Sequence, residues 1–252
     1  PAVPACRVHQ PDNAPQRPRA AIDQEPRRRP PDRVYYYLHH LIYDDGPRLL
    51  VVTYGGTIWG QGLSACGMAS GGSSVHPRTS TDQATGLPDA IIGRLLLERA
   101  GTVAEAIELF QRLPYQGKGC NYALCDAAGD AAILEATGEQ KVIRRIEDDY
   151  IHCTNYYASG AIEHAPEPDY LAHAVGRARL LDFHLAEASE RTVVRAQHIM
   201  ASHHGPISLC RHADVDSLHQ DTILSHLALP AQGRVLLADG YPCQAAWVEY
   251  EV

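Results

Sequence analysis

Hydrophobic and polar residues follow two different periods along this chain. Runs of aromatic and β-branched residues predict a hairpin, with strands over 34–43 and 48–54 and a turn over 44–47. The block 57–70 predicts two more short strands, and the polar stretch 71–87, rich in glycine, serine and threonine, predicts a loop. The folded part of the chain therefore begins with β-structure.

The apolar positions then change to helical spacing. Residues 88–100 predict a helix, and Thr102 and Glu105 form a capping box that opens a second helix. The stretches 167–187 and 189–201 show the same spacing further along the chain. Two pairs of helices are therefore expected.

The remaining apolar runs predict strands between and after the helix pairs. These runs are 121–125, 131–135, 141–147, 150–155, 207–210, 222–228, 234–238 and 245–250. The order of strands, two helices, strands, two helices and strands differs from the alternation of a parallel βαβ fold. It predicts an α+β fold, in which two antiparallel sheets stack face to face with the helix pairs on the outside.

The first 33 residues have a different composition from the rest. They contain eight prolines and seven arginines, with few large apolar side chains. Such a segment cannot form a helix or bury much surface. We therefore expect residues 1–33 to be an extended or partly disordered arm, and residues 34–252 to form one domain, for which this length suffices.

Composition excludes several classes of function. The net charge of −8 argues against a nucleic-acid binder, which usually carries a basic face. No apolar run reaches the ~20 residues that span a bilayer, and the N-terminus lacks the apolar core of a signal peptide. The seven cysteines are odd in number and form no CxxC pair, which disfavours a disulfide framework or a zinc site. We expect a cytoplasmic protein with reduced thiols.

Fourteen histidines invite a metal hypothesis, which their spacing does not support. His39 and His40 are adjacent, so on a strand they point to opposite faces and chelate poorly. His203, His204 and His212 are the other candidates, but no HExxH or comparable spacing on a helix is present. We expect no metal site.

Two short segments in the second half carry groups that hold anions. Segment 150–157 contains Asn155, segment 206–212 contains Arg211, and both are predicted to be strands. Carboxamides stabilise oxyanions, and guanidinium groups bind carboxylates through two parallel hydrogen bonds. Alone, Asn155 is also typical of a turn and Arg211 of a surface ion pair. Together they indicate acyl-transfer chemistry.

The residues alone leave the nucleophile open among the cysteines. Cys6 lies in the proline-rich arm, where an exposed, unreactive thiol is the simplest interpretation. Cys120 follows a glycine, and Cys153 and Cys210 stand beside the anion-binding candidates. All three lie in predicted strands, which favours core packing for each of them.

Several stretches, taken in order, resemble a known family. They are GPRLLVVTYGG at 46–56, GLSACGMA at 62–69, NYALCD at 121–126, HCTN at 152–155, ISLCRH at 207–212 and the final strand. Through them, roughly residues 34–252 resemble the acyl-coenzyme A:6-aminopenicillanic acid acyltransferase family, a group of N-terminal-nucleophile (Ntn) hydrolases. The resemblance implies a four-layer αββα sandwich, and self-cleavage of a precursor that frees an N-terminal cysteine.

The resemblance also implies roles for individual residues. Cys6 has about the spacing of the family's nucleophile, and Glu25 stands near the place of a family acid. A free α-amino group, with a pKa near ~8, accepts the thiol proton without a histidine. Asn155 matches the oxyanion-hole asparagine, and Arg211 matches an arginine that holds a carboxylate or positions the catalytic groups.

Tyr54 and His152 are the remaining substrate-binding candidates. The function implied is a cysteine Ntn-type amidohydrolase or N-acyltransferase that acts on a small amide or acyl thioester through a cysteine acyl-enzyme. Its mechanism requires no cofactor, although a coenzyme A thioester can donate the acyl group, and a homo-oligomer is left open. The alternative is a catalytically degenerate member that binds a small carboxylate through Arg211 and Asn155.

Overall fold

The structure is a computed structural model. It describes residues 36–54, 60–75, 85–117, 119–147, 149–162, 166–187 and 190–252. The predicted arm at 1–33 lies outside the described residues, and with it Cys6 and Glu25.

Twelve strands and four α-helices make up the described part of the chain. The strands are β1 Tyr36–Leu41, β2 Leu49–Tyr54, β3 Gln61–Ser64, β4 Met68–Ser74, β5 Leu87–Pro88, β6 Tyr115–Gln116, β7 Cys120–Asp126, β8 Ala131–Ala136, β9 Lys141–Arg145, β10 Leu224–Leu229, β11 Arg234–Asp239 and β12 Trp247–Glu251. The helices are α1 Asp89–Arg99, α2 Val103–Arg112, α3 Pro168–Ala186 and α4 Val193–Met200. The predicted mixture of antiparallel sheets and two helix pairs is confirmed.

The capping box at the start of α2 is confirmed in its geometry. The Glu105 amide donates to Thr102 Oγ1 at 3.2 Å, and the Thr102 amide donates to Glu105 Oε2 at 3.2 Å. These bonds satisfy two amides that a helix start leaves without an internal partner. The local sequence was therefore sufficient to place this helix end.

Two predicted strands are wrong, and they are the segments that carry the anion-binding candidates. Residues 150–155 and 207–210 join no sheet and run as irregular loops. The Thr154 carbonyl accepts from the Asn121 side chain at 2.8 Å, and the Cys210 amide donates to Ser202 O at 3.0 Å. Because side chains and loop carbonyls satisfy their backbone groups, these segments need no neighbouring strand.

The predicted loop over 71–87 is wrong at its beginning, because β4 continues to Ser74. Gly72 in this stretch permits close strand packing rather than a turn. A Cβ on Gly72 would lie 2.4 Å from the Asn121 carbonyl oxygen of the neighbouring strand β7. The small residues therefore permit a close strand pairing that composition alone predicts as a loop.

The larger sheet has seven antiparallel strands in the order β1-β2-β3-β4-β7-β8-β9. One face is covered by α1 and α2. Its core contains Leu49, Val51, Met68, Ile92, Leu96, Leu97, Phe110, Leu124 and Leu134. Burying each of these side chains contributes about 1.5–3 kcal/mol of transfer free energy. This face is the main apolar core.

The other face of the larger sheet meets a second sheet, which has the order β10-β11-β12. Leu50, Leu63 and Ala69 of the first sheet form one buried cluster with Ala228 and Val235 of the second. Helix α4 packs on β10, and α3 packs on α4. A parallel pair, β5 with β6, was not predicted.

Within the described ranges, no helix combines the length and apolar character that crossing a bilayer requires. The six cysteines in these ranges, Cys66, Cys120, Cys125, Cys153, Cys210 and Cys243, are free thiols.

We predict an acid-dependent loss of stability from His226 on β10. Burial lowers the pKa of this side chain from 6.5 to about 4. Between these pH values the unfolded chain binds a proton that the folded protein does not, so the free energy of unfolding falls as pH decreases from about 6.5 to about 4. The expected loss is roughly 3 kcal/mol, at about 1.4 kcal/mol per pKa unit.

Urea unfolding across this pH range measures the loss. In His226→Leu the acid-dependent loss of unfolding free energy should be smaller by roughly the 3 kcal/mol expected from His226. His198→Leu, at an exposed position of α4, should leave the loss unchanged. An equal acid-dependent loss in His226→Leu would assign the effect to other groups, such as His173, whose pKa burial also lowers.

Candidate active site

The loop that carries Asn155 lies on a row of polar side chains from the larger sheet. Strand pairing places Ser73, Asn121 and Glu135 next to one another on β4, β7 and β8. Ser73 Oγ donates to Thr154 O at 2.6 Å, and Asn121 Nδ2 donates to the same oxygen at 2.8 Å and to Tyr156 O at 3.0 Å. The sheet thus holds the backbone on both sides of Asn155.

Glu135 fixes the continuation of this loop. Its carboxylate is fully buried and accepts from the Ala158 amide at 2.9 Å and from the Ser159 amide at 3.2 Å. Arg144 Nη1 lies 3.5 Å from Glu135 Oε1. Because a buried charge is costly without partners, these contacts make the loop position well defined.

The side chain of Asn155 is held at both ends of its amide. Its Oδ1 accepts from Arg177 Nη2 at 2.7 Å, and its Nδ2 donates to Ser74 O at 2.8 Å. An amide nitrogen carries two hydrogens, so the bond to Ser74 leaves one N–H as a donor for another acceptor. Asn155 is half-buried.

A buried polar network connects Asn155 to Arg211. Arg177 Nε donates to His173 Nδ1 at 3.1 Å, and His173 Nε2 lies 2.8 Å from Asp216 Oδ2. Asp216 accepts from Arg211 through both of its oxygens, each at 2.7 Å. The polar network therefore consists of Asn155, Arg177, His173, Asp216 and Arg211, in that order.

The network sets the protonation of its members. A guanidinium group can only donate hydrogen bonds, so His173 Nδ1 accepts from Arg177, and His173 Nε2 carries the hydrogen and donates to Asp216. Burial lowers the pKa of His173, which keeps the ring neutral. Burial alone would raise the pKa of Asp216, but hydrogen bonds from Arg211 and His173 hold it well below its usual range. Asp216 is therefore ionised.

Arg177 brings a positive charge to this site. Burial and the charge of Arg211 lower its pKa to about 10, so it is protonated at neutral pH. It is 4% exposed, and no carboxylate forms an ion pair with it among the described residues. Two guanidinium groups and one carboxylate therefore leave the polar network with a net positive charge beside Asn155.

Arg211 is placed differently from what its sequence context suggested. It is 1% exposed, its fork binds Asp216, and its Nη1 donates to Gln220 Oε1 at 2.6 Å. The two parallel bonds that the sequence assigned to a substrate carboxylate go to a carboxylate of the protein. A direct contact between Arg211 and substrate stays a prediction.

The other predicted residues lie apart from the polar network. His152 Nε2 lies 2.7 Å from Asp182 Oδ1 of α3. Tyr54 contacts Tyr36, with ring centroids 5.6 Å apart, near the start of the second sheet. Cys153 packs in an apolar cluster with Ala123, as favoured from the sequence. Substrate contacts of His152 and Tyr54 stay predictions.

Three members of the polar network, His173, Arg177 and Asp216, were not among the residues that the sequence indicated. His173 and Arg177 are four residues apart on a helix, so they lie on one face, and that face is buried. Their spacing, which places a histidine and an arginine on the buried face of a predicted helix, is the sequence feature that could have indicated them. Nothing local marks Asp216, which lies 43 residues after its partner His173.

The described part of the chain also contains a cavity and a group of clustered cysteine and histidine side chains. One cavity of about 550 Å³ is lined by residues that include Tyr115, Gln140 and Lys141, and neither Asn155 nor Arg211 lines it. The residues able to hold a metal ion are His203, Cys210, His212 and Cys243, whose ligand atoms all lie within 4.8 Å of one another.

The fold compares with solved structures at low identity. Penicillin V acylase from Agrobacterium tumefaciens aligns with a TM-score of 0.48 and 13% identity, over 82% of this chain and 70% of that one. A mutant of the conjugated bile acid hydrolase from Clostridium perfringens aligns with a TM-score of 0.47 and 10% identity, over 84% of this chain and 80% of that one. Neither comparison identifies a substrate or a residue role for this chain. No curated protein sequence gives a significant match.

The sequence of the chain also matches a model of a protein family. The model of the acyl-coenzyme A:6-aminopenicillanic acid acyl-transferase family matches residues 31–242. That range contains the larger sheet, all four helices, the loop of Asn155 and the loop of Arg211. The match covers most of the chain, and the chain therefore belongs to the acyl-coenzyme A:6-aminopenicillanic acid acyl-transferase family.

Proposed function

We propose that this protein is a cysteine Ntn-type amidohydrolase or N-acyltransferase. Its substrate is a small amide or an acyl thioester, including coenzyme A thioesters, and the reaction passes through an acyl-enzyme on Cys6. Membership of an acyl-transferase family supports the reaction class. The observation that carries the proposal is the way in which Arg177 holds Asn155.

Arg177 makes Asn155 a better oxyanion donor in two ways. Its bond to Oδ1 at 2.7 Å fixes the orientation of the amide, in which Nδ2 lies against Ser74 O. A cation on the amide oxygen also polarises the amide, which strengthens the remaining N–H as a donor. Preorganised donors of this kind stabilise the tetrahedral intermediate of acyl transfer by about 3 kcal/mol each.

The proposed reaction uses few protein groups. Processing removes residues 1–5, and the new α-amino group of Cys6 accepts the proton of its own thiol. The thiolate adds to the carbonyl carbon, and the oxyanion that forms accepts from Asn155 Nδ2. The leaving amine or thiol departs with the proton from the α-amino group, and water or a second amine then releases the acyl group. Glu25 is proposed as the acid near Cys6.

Arg211 is proposed as a positioning residue rather than as a substrate ligand. It holds Asp216, which holds His173, and His173 accepts from the Arg177 that orients Asn155. Tyr54 and His152 remain the proposed substrate contacts.

We also propose the four-layer arrangement predicted for the family. Helices α1 and α2 cover one face of the larger sheet, the second sheet packs on its other face, and α4 packs on the second sheet. Helix α3, which packs on α4, carries two members of the polar network, so the outermost layer contributes to the site.

A second candidate function has its own supporting observation. The guanidinium of Arg177 has no carboxylate partner among the described residues, and a buried cation of this kind attracts a small carboxylate. A family member without acyl-transfer activity would bind such a ligand at Asn155 and Arg177, and Cys6→Ala would not affect the binding.

We predict that Cys6→Ala abolishes acyl transfer, lowering kcat by about a thousandfold or more because the nucleophile is lost. Incubation with an activated ester, followed by intact-mass and peptide analysis, should show one acyl adduct on Cys6. The active protein should lack residues 1–5. Cys66→Ala removes an exposed thiol and should keep both the adduct and the activity. An adduct that persists in Cys6→Ala would contradict the proposal.

We predict that Arg177→Gln lowers kcat by about tenfold to a hundredfold with less than about a threefold change in KM, because a misplaced oxyanion donor weakens transition-state binding. Steady-state kinetics and thermal unfolding should be measured together. Arg234→Gln removes an arginine that pairs with Glu249 on the surface and should change neither constant. If instead KM rises while kcat stays constant, Arg177 binds the substrate directly and its proposed role in orienting Asn155 is wrong.

A further inference from the structure

Two cysteine and two histidine side chains, both common ligands of transition metals, lie close together around the segment that carries Arg211. His203 follows α4, Cys210 and His212 stand on either side of Arg211, and Cys243 lies in the connection between β11 and β12. Cys210 is buried, His212 and Cys243 are half-buried, and His203 is exposed. The group, called here the Cys2His2 cluster, comprises two thiols and two imidazoles.

Four of the six donor-to-donor distances within the Cys2His2 cluster are close to the edges of a tetrahedron around one ion, and the other two, from His203 to the two sulfurs, are within 4.8 Å. His203 Nε2 and His212 Nε2 are 3.2 Å apart, and Cys210 Sγ and Cys243 Sγ are 3.6 Å apart. His212 Nε2 lies 3.5 Å from Cys210 Sγ and 3.4 Å from Cys243 Sγ. Zinc bonds of about 2.3 Å to sulfur and 2.0–2.1 Å to nitrogen give tetrahedral edges of about 3.3, 3.8 and 3.5 Å for N–N, S–S and S–N.

Hydrogen bonding alone does not account for this crowding. The Nε2 atom of His212 has three polar atoms within 3.5 Å, namely those of His203, Cys210 and Cys243. A neutral imidazole nitrogen carries either one N–H or one lone pair, so it makes one good hydrogen bond. A metal ion shared by the four side chains would accept one lone pair from each of them and so satisfy every member.

Backbone hydrogen bonds and a ring contact hold the donor segments in place. The Cys210 amide donates to Ser202 O at 3.0 Å, which ties the second donor segment to the first. The Ala245 amide donates to Tyr241 O at 2.8 Å in the turn that carries Cys243. The Tyr241 ring stacks on His212 with centroids 3.9 Å apart, which fixes the orientation of the imidazole.

We propose that the Cys2His2 cluster binds one zinc ion. Two thiolates and two imidazoles in a tetrahedron are a donor set that selects zinc among the common divalent metals. Because four protein ligands complete the coordination, the ion is structural and leaves no position for water or substrate. Binding releases the protons of the two thiols to solvent.

The ion stabilises the segment that anchors the polar network. Cys210 and His212 are two residues apart and point to the same side of the chain, while Arg211 between them points to Asp216. Zinc therefore clamps the backbone on both sides of Arg211 and ties it to the end of β11.

The sequence predicted no metal site, and the proposed one uses donors from three separate segments. No pair in the Cys2His2 cluster has a zinc-finger or HExxH spacing, and Cys243 is remote from the others. Only the packing of the connection before β12 against the loop after α4 brings them together.

The metal content of the full chain tests the proposal. Protein expressed with zinc, reduced and exchanged into metal-free buffer should retain about one zinc per chain by elemental mass spectrometry. After exchange for cobalt, it should show a sulfur-to-cobalt charge-transfer band and the intense visible absorption of tetrahedral cobalt. A strong chelator should lower the melting temperature.

Matched variants keep the test specific. The zinc should be lost in Cys243→Ser and in His203→Ala. It should be retained in Cys66→Ser, which removes an exposed thiol, and in His204→Ala, which removes the histidine next to His203. Zinc absent from the wild type, or retained in Cys243→Ser, would overturn the proposal. A Cys210–Cys243 disulfide in the wild type would also overturn it. Such a disulfide would lower the intact mass, measured without reductant, by two hydrogens. If the variants do not fold, the cobalt spectrum of the wild type still decides. Metal content is independent of acyl transfer, so Cys6→Ala should retain the zinc.

Discussion

The buried ion pair between Arg211 and Asp216 is the contact on which the candidate site depends. Both side chains are almost completely removed from solvent, so each charge requires several partners to offset its desolvation. Asp216 also accepts a hydrogen bond from the Leu218 amide at 3.0 Å, and Arg211 also donates one to the Gln220 side chain. A pair of this kind contributes specificity more than stability, because one arrangement of the loop satisfies all of its groups.

From this pair, orientation passes to Asn155 through α3. His173 and Arg177 lie one turn apart on that helix and are hydrogen-bonded to each other. His173 also contacts Asp216, and Arg177 also contacts Asn155. The sheet holds the backbone of the same loop separately, through Ser73 and Asn121. Separate supports for the backbone and the side chain of Asn155 suit an oxyanion donor, since its effect depends on being in place before charge develops.

Local sequence predicted the elements whose stability comes from neighbouring residues. The capping box at Thr102 and the strands predicted at 48–54 and 121–125, which form β2 and β7, are examples, because helix caps and strand propensity depend on nearby side chains. Prediction failed at 150–155 and 207–210, where apolar and β-branched residues indicate strands. These segments are loops because polar groups from distant elements satisfy their backbone.

The sequence by itself determined the class of fold, the family resemblance, and the identity of Asn155 and Arg211 as groups of interest. Only the tertiary structure decided what these groups contact: a carboxylate of the protein for Arg211, and a buried guanidinium for Asn155. The same holds for the Cys2His2 cluster, whose donors come from three segments. The physical reason is that hydrogen bonds and ion pairs form between groups that folding brings together, and such partners have no fixed spacing along the chain.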